Sequence, residues 1–244
     1  MAKPAASRPA SRIDWKVLGT IGAMFALVLF FWDWSFLYPI KLFVVLLHET
    51  GHGLAAVLTG GSIDHIEISS NLGGVCWSRG GWRLLVLPAG YLGSMFFGGL
   101  ILIVSARTRH DRYISMVLGA LVVVLTLWFV RNAFGFAFGL LFGVAMVAAG
   151  KFLSERFNDV LLKFLGLTSS LYAIIDIKED LISRTVPGSD AYAMSQELFL
   201  PPVFWGVLWI ALALIASSWF VWIAVTTRLP AAGPGSSPAS SPAP

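Results

Sequence analysis

The chain has 244 residues, 57% of them hydrophobic and only 12% charged, with a net charge of +4. An average soluble domain is about a quarter charged, so an ordinary water-soluble globule is excluded. The basic residues lie scattered near the ends of apolar runs, where they suit lipid headgroups, and form no stripe for nucleic acid.

Long charge-free runs match the roughly 20 apolar residues that a helix needs to cross a bilayer core. They predict an all-α polytopic membrane protein with six to seven transmembrane helices, expected in the cell membrane. Residues 1–14 read as a basic flexible tail and the Pro/Ser/Ala-rich residues 229–244 as a disordered one, leaving 15–228 as a single membrane-embedded domain.

The first span is predicted from Trp15 to Tyr38, with Trp32, Trp34 and Tyr38 as an interfacial belt. Pro39 punctuates, and a second span runs from Ile40 to Thr59, stopped by Gly60-Gly61. Residues 62–81 change period: His65-Ile66-Glu67-Ile68 alternates, Asn71 to Gly74 supplies a turn, and Val75-Cys76-Trp77 returns. This predicts a small β-hairpin, at the membrane interface or packed inside the bundle, because open sheet edges do not lie bare in lipid.

A third span from Trp82 to Ala106 carries small residues for close helix packing. The fourth and fifth, Tyr113 to Val130 and Phe134 to Gly150, are separated by Arg131-Asn132 and read as an antiparallel pair, with one kinked helix as the alternative. A sixth, weaker segment covers Val160 to Ile177 and ends in DIKED, Asp176 to Asp180. A polar stretch to Glu197 follows, and Pro201-Pro202 introduces the last span, Val203 to Val225.

Chemistry concentrates in the second span, in HETGH from His48 to His52. On a helix, residues four apart face the same way, so His48 and His52 can offer nitrogens to one zinc ion, with Glu49 beside them as the base that activates water. A carboxylate at the centre of a span costs roughly 2.5 to 3.5 kcal/mol, and a bound cation with a wet pocket explains why Glu49 is there. With a single cysteine, Cys76, read as an inert small residue, the remaining ligand must be a carboxylate. Asp176 and Asp180 share a helix face; Asp176 lies nearer the membrane interior and is the expected third ligand, with Asp180 the alternative. Asp190 reads as a turn or helix N-cap, His65 and His110 as solvated, and Arg131 and Asn132 as without catalytic role.

HETGHGLAAVLTGG (His48 to Gly61), the hairpin ending in Arg79-Gly80-Gly81, PAGYLGS (Pro88 to Ser94), LYAIIDIKEDLI (Leu171 to Ile182) and Ser189-Asp190-Ala191 carry a resemblance to a known family. They resemble the site-2 protease class of intramembrane metalloproteases, the M50 peptidases, and most closely the M50B-like branch. The resemblance implies one Zn2+ per chain, His48, His52 and Asp176 as ligands, and Glu49 as catalytic base. It further implies hydrolysis of peptide bonds in membrane protein or peptide substrates within or beside the lipid bilayer, with the substrate unwinding and pairing with an edge strand. Ile175-Asp176-Ile177 lacks the glycine of the Leu-Asp-Gly segment of better-known members, and Tyr91 and Ser94 replace their Pro and Asn. That departure motivates the alternative, a non-proteolytic membrane scaffold or binding protein retaining a metal site.

Overall fold

A computed structural model describes residues 11–179 and 189–228. Among these, six helices are long and apolar enough to cross a membrane, and a two-stranded hairpin is packed against them. The chain is an integral, multi-pass, all-α membrane protein.

Strand β1 (Ser11–Ile13) pairs antiparallel with β4 (Thr226–Arg228), tying the two ends of the described chain together. Asp14, the last residue of the predicted N-tail, accepts hydrogen bonds from the Lys16 and Val17 amides and caps α1 (Trp15–Phe30). Residues 1–10 and 229–244 lie outside the described residues. At 16 residues α1 is shorter than the six helices long enough to span and is not among them; a 3-10 turn (Ser35–Leu37) then leads into α2 (Tyr38–Leu58), with Pro39 in its first turn.

The hairpin consists of β2 (Ser62–Ile68) and β3 (Gly74–Arg79), with a register shift at Asp64. It lies along α2. The Tyr38 hydroxyl donates to the Ser70 carbonyl (2.6 Å) at the turn end, and Gly81 packs on Ala56 at the open end.

The predicted third span is divided by Leu87-Pro88 into a short α3 (Arg83–Val86) and α4 (Ala89–Arg107). Helices α5 (Asp111–Phe129) and α6 (Ala133–Phe152) are the antiparallel pair rather than one kinked helix. Their axes approach closely at Gly119, Gly139, Gly143 and Gly150, where added Cβ atoms would fall 2.1–2.5 Å from the partner helix, or from its Val123 side chain at 2.7 Å.

Helix α7 (Glu155–Lys178), capped by Ser154, packs antiparallel on α4. Ser169 donates to the Ser94 carbonyl (2.8 Å) near one end, and Ser105 donates to the Asp159 carbonyl (3.3 Å) toward the other. Within the predicted polar stretch to Glu197, Asp190–Leu198 form α8, and α9 (Pro202–Val225) completes the bundle. Asp180 lies outside the described residues.

Candidate metal centre

Three elements converge on one end of the α4/α7 pair. Helix α2 contributes His48, Glu49 and His52, α3 turns back over it, and α8 approaches from the other side. The i, i+4 spacing brings the Nε2 atoms of His48 and His52 to 3.0 Å of one another. Asp190 Oδ2 lies 3.2 Å from each of them. Among the described residues, these are the His, Cys, Asp and Glu ligand atoms that gather within 4.8 Å in a group of three or more.

The near-equilateral triangle fits a zinc ion. Ligand atoms in a tetrahedral site with bonds of about 2.0–2.1 Å stand about 3.3–3.4 Å apart, close to the 3.0 and 3.2 Å edges here. A second observation agrees. Gly90, at the start of α4, faces the same nitrogens, and a Cβ built on it would fall 2.3 Å from His48 Nε2 and 2.4 Å from His52 Nε2. Only a residue without a side chain leaves that space open.

Each donor is oriented. His52 Nδ1 lies 2.8 Å from the Val86 carbonyl, which can only accept, so Nδ1 carries the proton and Nε2 presents its lone pair to the centre. His48 is held edge-on by Tyr91, with ring centroids 4.8 Å apart, and Tyr91 is backed by Trp209. Asp190 is the first residue of α8, whose N-cap Ser189 accepts from the Tyr192 amide. Ala191 and Met194 anchor that helix in a buried cluster with Tyr91, Ile177 and Trp209. Burial alone would raise the Asp190 carboxyl, but the facing His52 and His48 imidazoles draw it below the usual carboxylate range.

Glu49 is 5% exposed and sits against β3. Gly74 makes room for it: a Cβ there would lie 2.6 Å from Glu49 Oε1. The Cys76 backbone amide is directed at the same carboxylate. The Cys76 thiol is pushed up to about 12, first by burial and then by the Glu49 charge, which keeps it neutral. The donors, Glu49, β3 and Tyr172 line one open cavity of about 750 Å³.

The structure thus brings His48, Glu49 and His52 together and adds Asp190 where Asp176 was expected. Asp176 lines the same cavity from the last turns of α7 but is not in the triad. Depth in the membrane favoured it on paper; the fold instead returns the chain after α7 and aims α8 at the histidines. Ser189-Asp190 reads in sequence as a turn or helix N-cap, and in the structure Ser189 is the N-cap while Asp190 faces the histidines. His65 stacks on Trp77 across the hairpin, and His110 stands beside Tyr113.

Fold and site together define a polytopic membrane protein with a His-Glu-x-x-His helix and a His/His/Asp group able to hold a metal. The Peptidase M50B-like family matches residues 21–220, and the chain belongs to that family. No curated protein and no solved structure shows a significant match to the chain.

Proposed function

We propose that the protein is an intramembrane zinc metalloendopeptidase, with His48, His52 and Asp190 holding one Zn2+ and Glu49 acting as general base. The observation that carries this reading is the triangle of three donor atoms, 3.0–3.2 Å apart, beside a buried carboxylate on the same helix. A zinc ion bound there would polarise a peptide carbonyl and make water acidic enough to attack near neutral pH.

The chain's own residues supply the rest. Glu49, one residue from His48 and facing the cavity, takes the proton from the attacking water and delivers it to the departing amine nitrogen. The Cys76 amide and the space at Gly74 hold its carboxylate in one orientation. Val86 keeps the His52 lone pair aimed at the centre.

Strand β3 offers the means of substrate presentation. Its residues Gly74 to Ser78 border the cavity, so an extended segment of a membrane protein or peptide can align along that edge with its scissile bond near the donors.

The test is cleavage of a membrane-spanning peptide by the purified protein, with zinc measured in the same preparations. The wild type is expected to cleave and to hold one zinc per chain. Glu49→Gln is expected to keep the zinc and lose cleavage by at least about 100-fold. Zinc-free wild type, or cleavage that survives the substitution, overturns the reading.

A further inference from the structure

The hairpin is held from the side opposite the cavity by the three-residue connection between α5 and α6, Val130 to Asn132. Asn132 Oδ1 accepts from the Ile68 amide (3.0 Å), and Asn132 Nδ2 donates to the Ile68 carbonyl (2.7 Å). The Arg131 amide donates to the Ile66 carbonyl (3.0 Å), and Val130 bridges Ile66 in parallel. This short stretch therefore takes up the outer edge of β2 as a third strand would.

Two features mark the contact as built. Asn132 is the N-cap residue of α6, a position where an Asn side chain normally accepts from its own helix and contributes about 1 kcal/mol; here it makes no such bond and reaches to β2 instead. Gly135, one turn on, faces the contact, and a Cβ there would lie 2.6 Å from Asn132 Oδ1 and 3.0 Å from Ile68 Cβ.

The register gives the contact its consequence. Ile66 pairs with Cys76 and Ile68 with Gly74, and these two β3 residues are the ones that hold Glu49. Because the polar groups of Ile66 and Ile68 point outward to the connection, these are non-hydrogen-bonded pairs, and the polar groups of Cys76 and Gly74 point the other way, toward Glu49 and the cavity.

We propose that the α5–α6 connection is a dock that fixes the hairpin through Asn132 and so positions Glu49, making Asn132 a positioning residue for the reaction. The functional part of this inference rests on the reading of Glu49 as base. The dock also closes the β2 edge, so an incoming substrate strand is directed to β3.

Cys76, the single cysteine of the chain, is a built-in reporter, since its half-buried thiol sits between the hairpin and α2, with Sγ 3.3 Å from where a Cβ on Gly53 would lie. The experiment follows its labelling by N-ethylmaleimide in the purified full chain, alongside zinc content and helical circular dichroism. Asn132→Ala removes both side-chain bonds. Asn132→Asp keeps the volume but sets a carboxylate oxygen against the Ile68 carbonyl. Thr126→Ala, in the α5–α6 packing, controls for general loosening of that helix pair.

Both Asn132 substitutions are expected to speed labelling about tenfold over wild type and to lower kcat for cleavage of the membrane-spanning peptide about tenfold at unchanged KM, with zinc content and helical signal unchanged and Thr126→Ala close to wild type; an unchanged kcat overturns the positioning role. The proposal is overturned if Asn132→Ala labels at the wild-type rate, if Asn132→Asp does so because volume alone matters, or if Thr126→Ala labels as fast as they do. It is also overturned if labelling rises only together with loss of the helical signal. A wild type that binds no zinc would sink the proposed metal centre while leaving the labelling comparison to decide the dock.

Discussion

Gly90 faces His48 so closely that a single added methyl group would lie 2.3 Å from the imidazole Nε2, and 2.4 Å from that of His52. Gly90→Ala is therefore expected to push the two imidazoles apart and abolish zinc binding while the helices stay assembled. Metal analysis of the purified variant, with circular dichroism as the fold check, tests this. Full zinc occupancy would show that the space at Gly90 is not the metal's.

Gly74 plays the matching part for the base. Gly74→Ala puts a Cβ 2.6 Å from Glu49 Oε1 on a strand that contributes no donor to the triad. Zinc is expected to stay bound while the cleavage rate falls by about 100-fold, the lower end of a general base's contribution. Paired measurement of zinc and turnover separates the two glycines: one variant loses metal, the other loses rate.

The pair Arg83 and Glu197 joins α3 to α8 at 2.6 Å, bridging the helix that orients His52 and the helix that carries Asp190. Both side chains are well exposed, so Glu197→Gln is expected to move the thermal midpoint little, consistent with the 0–1 kcal/mol of surface pairs. Cleavage is likewise expected to remain within about twofold of wild type. A large loss of either would mean that the pair holds α8 against the site.

The membrane architecture was legible because hydropathy acts along contiguous runs: an apolar stretch long enough to cross a bilayer is visible without knowing its neighbours. His48, Glu49 and His52 were legible for a related reason, since the helical period alone brings them to one face. The hairpin showed in the alternation of residues 65–68 and the glycine turn.

Asp190 was not legible in the same way. Its approach to His52 depends on how α8 folds back after α7, a tertiary relationship carried by Ala191 and Met194 seating against Trp209 and Ile177. Asp176 had the stronger local argument, a carboxylate at the end of an apolar segment, and it does reach the cavity wall. Asn132 posed the same difficulty. Before a helix it looks like a cap, and only the three-dimensional path of β2 shows that its amide is used elsewhere.

The most direct test of the proposed centre is the zinc content of three purified proteins compared side by side: wild type, Asp190→Ala and Asp176→Ala. One zinc per chain is expected in wild type and in Asp176→Ala. Asp190→Ala should lose the metal, with an affinity drop exceeding the 10- to 100-fold typical of outer-shell partners. The reverse pattern, zinc kept without Asp190 and lost without Asp176, would contradict the His48/His52/Asp190 centre.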